Sequence, residues 1–165
     1  MITKKMQDAI NEQIKNEVYS AYLYLSMSAY FESNNLAGFA KWLRIQYEEE
    51  MSHALKLYDH VNERGGRVKL LAIPEPQSEW STSFEVFNQV LEHEQHVTSL
   101  IHKLYETALE ENDYAAQVML HWFINEQVEE EKNATEIVEL LKLIDARGTA
   151  VLMLDKQLGK RGKED

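Results

Sequence analysis

The chain has 165 residues, 44% of them hydrophobic and 27% charged, with a formal net charge of −11, which is the composition of one soluble globular domain. The negative charge argues against nucleic-acid partners, which need basic patches, and the lack of cysteine excludes disulfides, thiolate zinc sites and iron–sulfur clusters. No run of about 18 apolar residues occurs, and the N-terminal segment lacks the apolar stretch of a signal peptide. We therefore expect no membrane partner and a cytoplasmic location.

Two long helices are predicted in the first part of the chain, where apolar residues recur at helical spacing. The first covers about 3–33 and is broken by the sequence Ser-Asn-Asn. The second covers about 36–64 and ends at the glycine pair 65–66, a frequent helix stop. Residues 67–81 contain both prolines of the chain and are predicted to be an irregular connection.

Two further long helices and a short one follow. A capping residue among 81–83 (Ser-Thr-Ser) is expected to start the third helix, which runs to about Glu110. The fourth covers about 114–146 and ends before a glycine. An apolar segment at about 146–158 predicts a short fifth helix, and the charged residues 159–165 predict a flexible tail.

The lengths of the connections predict the topology. The short turns within each pair of long helices imply two antiparallel hairpins. A helix of about 30 residues is about 45 Å long, and a connection of about 15 extended residues can span that length. The predicted fold is a single all-α domain, 1–165: a four-helix bundle with one long crossover between helices two and three, plus a short fifth C-terminal helix.

Each long helix carries a polar residue in the middle of an apolar row. Core positions of a bundle helix recur about every seven residues, and in the second helix Glu50 follows Leu43 and precedes Leu57 at that spacing. We therefore expect Glu50 to point inward although it ends a run of three glutamates. The polar residues on apolar rows of the four helices are Glu17, Glu50, Glu94, Gln127 and Glu130.

These polar residues are expected to meet at one level of the bundle, because residues equidistant from a hairpin turn lie at the same height. Glu17 and Glu50 are centred on the first turn, and Glu94 and Gln127 on the second; each pair is 33 residues apart (50 − 17 and 127 − 94). The second member of each pair is followed three residues later by another ligand-type residue, namely His53 or Glu130. The two hairpins therefore resemble copies of one unit.

A cluster of buried carboxylates needs partners, because an unpaired buried charge costs several kcal/mol. No lysine or arginine lies on the apolar rows, so cations are the simplest partners, although a single core glutamate is more often a hydrogen-bonded residue than a ligand. Four carboxylates, one imidazole and one amide form a mainly oxygen site, which favours a pair of iron or manganese ions. In this interpretation Glu50 and Glu130 bridge the ions, Glu17 with His53 holds one of them, and Glu94 holds the other.

Two neighbouring residues have open roles. Gln127 is expected to be a weak ligand or a hydrogen-bond donor near a bound oxygen species. Tyr24 lies one heptad after Glu17 and could donate a hydrogen bond or an electron to the site, or could equally be a core tyrosine.

With these motifs the sequence resembles the ferritins, specifically the non-haem bacterial kind, over nearly its whole length. The residues that carry the resemblance lie in NEQIKNEVYSAYLYLSMSAYF, YEEEMSHALKLYDH, VLEHEQHV and HWFINEQVEEEKNA. The resemblance implies a ferroxidase centre in which Glu50 is shared, Glu17 and His53 bind one iron, and Glu94 and Glu130 bind the other, with Gln127 beside it. It also implies a third iron position, formed by Glu49, Glu126 and Glu129.

The resemblance further implies what the chain does. A member of this family oxidises Fe²⁺ with O₂ or H₂O₂ and deposits ferric oxyhydroxide inside a shell of 24 identical subunits, with the fifth helix at the fourfold axes. Bacterioferritins differ, since they have Glu-x-x-His in both hairpins where this chain has Gln127-x-x-Glu130. Met51 stands where they place a haem-ligating methionine, but we expect no haem here, since methionine also suits a packed interface. A soluble di-metal enzyme and a purely structural bundle remain as alternatives.

Overall fold

The computed structural model describes residues 1–144 and 148–162, and these residues form five helices and no strand. Their bounds are α1 Lys4–Ser33, α2 Ala37–Glu63, α3 Ser83–Glu110, α4 Tyr114–Leu143 and α5 Thr149–Leu158. Within the same residues, no helix has the length and apolar character needed to cross a membrane. The all-α class and the bundle of four long helices with a short fifth are confirmed.

The helix ends follow from capping and turn residues. Thr82, one of the three candidates among 81–83, caps α3, and its Oγ1 accepts a hydrogen bond from the Glu85 amide at 3.1 Å. Asn35 and Asn112 adopt positive φ angles of 60° and 52° in the two hairpin turns, a conformation that asparagine tolerates better than most residues. The fourth helix ends at Leu143, earlier than predicted, because the next residue is extended. The fifth helix begins at Thr149, and residues 145–147, where the two predicted helices met, lie outside the described residues.

Contacts between α1 and α3 fix the direction of the crossover. Lys5, near the start of α1, bonds Glu110 at the end of α3 at 2.7 Å, whereas Tyr24 bonds Glu94 further back along α3. The two helices are therefore antiparallel. Since α1 is also antiparallel to α2, helices α2 and α3 run parallel, and residues 64–82 cross the length of the bundle as predicted.

The connection between α2 and α3 follows the surface of α1. Near one end, Asn11 Nδ2 donates to the Arg67 carbonyl oxygen at 3.2 Å. Near the other end, Ser26 Oγ donates to the Gln77 carbonyl oxygen at 2.7 Å. These side-chain bonds satisfy backbone groups that have no helix or sheet partner, which explains how the segment is irregular yet ordered.

A layer of buried polar side chains separates two apolar clusters in the core. One cluster is rich in aromatic residues and includes Phe31, Phe39 and Phe87. The other lies towards the opposite end of the bundle and includes Ile10 and Ile101. All four long helices contribute to both clusters, and the inward glutamates lie between them along each helix.

The fifth helix packs against the first turns of α2. The α2 N-terminus has no side-chain cap of its own, and the Asp155 carboxylate of α5 accepts the Phe39 amide at 2.8 Å in its place. The approach is close, since a Cβ at Gly38 would lie 1.7 Å from the Asp155 carbonyl oxygen. Residues 159–162 of the predicted tail continue as turns in which Arg161 contacts α2. The rest of that tail, 163–165, lies outside the described residues.

Candidate metal centre

The four glutamates predicted to face inward are buried. Glu17 and Glu94 are each 1% exposed, Glu50 is 2% exposed and Glu130 is 5% exposed. The heptad rows place them there, because each lies on a stripe whose other members fill the apolar core. The predicted orientation of Glu50 is thus confirmed, whereas the role of these residues as ligands remains a prediction.

The first hairpin brings three ligand groups together. One ligand atom from each of Glu17, Glu50 and His53 lies within 4.8 Å of the other two, and His53 Nδ1 is 3.3 Å from Glu50 Oε2. Gln13, one turn before Glu17, donates to Glu17 Oε1 at 2.8 Å. All three groups can therefore reach a single ion.

Glu94 of the second hairpin is held by hydrogen bonds from α1 and α4. The Tyr24 hydroxyl donates to Glu94 Oε1. Gln127 Nε2 donates to Glu94 Oε2 at 3.1 Å and to the Glu94 carbonyl oxygen at 3.2 Å. The predicted common height of Glu94 and Gln127 is confirmed, and the Gln127 amide group supports the carboxylate rather than facing away from it.

Glu130 stands near the first hairpin. Its Oε2 accepts a hydrogen bond from Gln46 Nε2 of α2 at 2.7 Å. Its carboxylate also forms a second three-ligand group with His53 and Glu126, in which Glu126 Oε1 is 3.9 Å from His53 Nε2. His53 therefore lies between two groups of carboxylates, with one ring nitrogen towards each.

Burial and mutual repulsion set the charge state of these groups. Burial is the main cause that raises the pKa of Glu17 to about 7 and that of Glu130 to about 8. The pKa values of Glu50 and Glu94 are also raised, mainly by burial and further by neighbouring carboxylates. Burial, helped by Lys56, lowers the pKa of His53 to about 4, so its contact with Glu50 joins a neutral imidazole to a carboxyl group. A divalent cation would stabilise the ionised carboxylates and displace their protons.

Comparison with known proteins assigns the family. Residues 7–144 match the model of the ferritin-like domain of the Ferritin family. The chain belongs to the ferritin family. A bacterial non-heme ferritin of Bacteroides fragilis (strain 638R) is 45% identical over 161 residues, which are 98% of this chain and 100% of that protein. A bacterial non-heme ferritin of Staphylococcus saprophyticus is 36% identical over 165 residues, which are 100% of this chain and 99% of that protein.

A solved ferritin has nearly the same fold. The open pore ferritin of the hyperthermophilic archaeon Archaeoglobus fulgidus has a TM-score of 0.96 and 52% sequence identity, with 98% of this chain and 99% of that chain covered. The resemblance recognised from the motifs is confirmed over the full length.

The residues of the expected third iron position lie at the edge of the layer of buried glutamates in this ferritin. Glu126 is half-buried. Its pKa is raised mainly by burial and further by the negative charges of Glu129 and Glu49. Glu129 itself is exposed. Glu49 is not free, because its Oε2 accepts a hydrogen bond from Arg161 Nη2 at 2.5 Å.

Sequence reasoning missed several residues around the site. Gln13 lies one helical turn before Glu17, so the i, i+4 spacing could have identified it. Gln46 bonds Glu130, which lies 84 residues later, and no local spacing indicates that contact. His93 was given no role, yet its Nε2 lies 2.8 Å from Ser20 Oγ and burial lowers its pKa to about 4. No local signal connected Arg161 with Glu49, 112 residues earlier in the chain.

Proposed function

We propose that this chain is a ferroxidase subunit that oxidises Fe²⁺ at the layer of buried glutamates and stores the product as ferric oxyhydroxide. The observation that carries the proposal is the burial of four carboxylates beside one imidazole. In the described part of the chain, no lysine or arginine nitrogen lies within 4.0 Å of any of these four carboxylates. Mostly oxygen donors with one nitrogen suit iron, and membership of the ferritin family supports the same choice.

The proposed roles combine the observed contacts with the family resemblance. Glu17 and His53 would hold one Fe²⁺ and Glu94 would hold the other, while Glu50 and Glu130 would be shared by both. Tyr24 and Gln127 would position Glu94 by the hydrogen bonds that they donate to it. When Fe²⁺ binds, protons leave the carboxyl groups whose pKa values are raised, and the carboxylates then neutralise the charge of the ions.

The proposed reaction uses the iron ions as substrate and an oxygen species as electron acceptor. Two Fe²⁺ ions each lose one electron, and O₂ takes up both electrons and two protons to give H₂O₂; H₂O₂ can serve as acceptor in turn and yield water. Each Fe³⁺ then reacts with two waters to form FeO(OH) and release three protons. The protein contributes position and charge, and the redox chemistry belongs to iron and oxygen. Glu49, Glu126 and Glu129 would receive iron on its way from the centre.

Storage requires a closed assembly, and the proposal includes a cytoplasmic shell of 24 subunits. Leu152 and Met153 of α5 are 58% and 69% exposed in the single chain. Adjacent apolar side chains at this exposure favour burial against other copies. The arrangement of α5 around fourfold axes follows from the family resemblance.

Iron loading tests the function and the shell together. The protein is loaded aerobically with Fe²⁺ and passed through a gel-filtration column, and retained iron is measured per subunit. We expect many more ions per subunit than the ligands can hold, in a large particle, and a strong loss of retention for Glu50→Ala. The control Glu136→Gln changes a carboxylate that is 63% exposed and should load normally. Two ions or fewer per subunit in a small species would overturn storage and favour a di-metal enzyme.

A further inference from the structure

Docking of α5 on α2 places one arginine at the edge of the metal centre. The Asp155 carboxylate caps α2, and Lys41 Nζ donates to the Gly159 carbonyl oxygen at 3.2 Å. The turn after α5 then returns along α2, so that the Arg161 guanidinium lies 4.5 Å from the centroid of the Trp42 ring. Stacking of this kind holds the planar guanidinium in a fixed orientation.

The guanidinium makes hydrogen bonds along one side of α2. Arg161 Nη2 donates to Glu49 Oε2 at 2.5 Å, and Nη1 donates to Gln46 Oε1 at 2.9 Å and to the Trp42 carbonyl oxygen at 3.3 Å. Its side chain is only 21% exposed. Arg161 thus makes four contacts to one helix with a largely covered side chain. Such a contact is more specific than an exposed surface ion pair.

The bond to Gln46 extends the influence of Arg161 into the core. Arginine has only donors, so Gln46 must turn its carbonyl oxygen towards Arg161 and its amide group inward. That amide group donates to Glu130 Oε2 at 2.7 Å, and Gln46 is 1% exposed. Arg161 thereby fixes which atom of Gln46 faces Glu130.

We propose that Arg161 is a positioning residue for the iron site, which orients Glu130 through Gln46 and acts as an internal counter-ion for Glu49. This inference rests on the proposed function. A cation that uses Glu49 must compete with the guanidinium for its carboxylate. Arg161 therefore weakens the third cation position while it supports the pair of positions in the core, which favours passage of iron through Glu49 over its retention there.

Equilibrium binding of Zn²⁺ tests the inference without any oxidation. The complete assembled protein is freed of metal and titrated with Zn²⁺ by calorimetry, as wild type and as Arg161→Gln. We expect Arg161→Gln to bind the third ion about fivefold more tightly, as expected when an ion pair no longer competes. One of the first two ions should bind about threefold more weakly, since partners beyond the direct ligands tune metal affinity. A merely structural role would not move the two affinities in opposite directions.

A neighbouring lysine provides the control. Lys160 is exposed and lies one residue before Arg161, so Lys160→Gln removes the same charge from the same turn. It should leave both affinities within about twofold of the wild-type values, as exposed charges contribute little. If Arg161→Gln behaves like Lys160→Gln, or weakens both classes of ion, the inference is wrong. If the wild-type protein binds no pair of Zn²⁺ ions at all, the proposed function fails instead.

A second variant covers the case in which Arg161→Gln does not assemble. Arg161→Lys keeps the charge beside Glu49 but replaces the planar fork by a point charge. We expect the third ion to bind as in wild type and one core ion to bind about threefold more weakly. If Arg161→Lys also binds the third ion about fivefold more tightly than wild type, a positive charge at residue 161 does not compete for Glu49. That result would contradict the counter-ion role.

Discussion

The two hairpins place their buried glutamates at the same height, but the contacts of these glutamates differ. In α1–α2, single ligand atoms of Glu17, Glu50 and His53 approach one another within 4.8 Å. In α3–α4, Glu94 is instead bonded by Tyr24 and Gln127. In the first half, three potential ligand groups therefore converge on one point, although Glu17 also accepts a hydrogen bond from Gln13. In the second half, neutral donors bond both carboxylate oxygens of Glu94.

The difference comes from residue type and not from spacing. Both hairpins place two ligand-type residues three apart on their second helix, Glu50 and His53 in one and Gln127 and Glu130 in the other. An amide group in place of a carboxylate supplies donors, so Gln127 bonds its neighbour Glu94. A repeated spacing thus determines where side chains meet, and the residue types determine which hydrogen bonds each carboxylate accepts there.

Loss of Glu50 should have the largest effect on iron oxidation, because Glu50 is proposed to be shared by both iron ions. For Glu50→Leu we expect the initial rate of Fe²⁺ oxidation to fall by about a hundredfold or more, as for loss of a metal ligand or its close support. The near-ultraviolet absorbance of ferric species measures the rate. Glu136→Gln serves as the control, and a Glu50→Leu protein that oxidises iron at the wild-type rate would exclude the centre as the site of oxidation.

Leucine substitutions should change the stability of the metal-free protein in opposite directions in the two halves. Glu50→Leu removes a buried carboxyl group from a repulsive cluster, and such replacements often stabilise by about 1–4 kcal/mol. Glu94→Leu leaves the Tyr24 hydroxyl without its acceptor, at a cost of about 1–3 kcal/mol, while the Gln127 amide keeps the Glu94 carbonyl oxygen as a partner. Thermal unfolding after chelator treatment measures both variants. Shifts of the same sign would show that the two halves do not differ as described.

The pH dependence of stability should separate the halves as well. Burial raises the pKa of Glu17 to about 7 and that of Glu130 to about 8, so between pH 4.5 and these values the folded state holds more protons than the unfolded state. Its stability falls as pH rises through that window. His53 and His93, with pKa values lowered to about 4, act in the opposite direction, but only below about pH 6.5.

The informative range therefore lies above pH 6.5. We expect the unfolding temperature of the metal-free protein to fall by about 5 °C between pH 6.5 and 8.5. Glu17→Gln should remove the lower part of this fall and Glu130→Gln the upper part. An unfolding temperature that does not fall with pH in this range would show that these carboxyl groups are already ionised in the folded protein without a cation.

The height of the candidate site along the bundle could be predicted from the sequence, because it depends on local regularities. Heptad spacing determines which residues face inward, and equal distance from a turn pairs Glu94 with Gln127, as their 3.1 Å hydrogen bond shows. These rules need no knowledge of long-range packing. The same holds for the crossover, since its direction follows from the length of one connection.

The surroundings of the site depend on contacts that no local pattern encodes. The amphipathic pattern of α5 does not specify which surface it covers, so neither the capping of α2 by Asp155 nor the bond from Arg161 to Glu49 was predictable. Likewise, the prediction left Tyr24 open between a core residue and a site residue. In the structure Tyr24 is fully buried and its hydroxyl donates to Glu94, a contact that the heptad spacing alone does not specify.

Removal of the Tyr24 hydroxyl should have the smallest effect and should sharpen the distinction between the halves. Tyr24→Phe keeps the ring in the core but removes one donor from Glu94, which retains the Gln127 amide. We expect two Zn²⁺ ions still to bind in the core and the rate of Fe²⁺ oxidation to fall about three- to tenfold, because the carboxylate is less firmly oriented. Calorimetry and the ferric absorbance measure the two quantities on one preparation. Loss of a bound ion would show that the hydroxyl is needed to form the second half, whereas an unchanged rate would show that Gln127 alone positions Glu94.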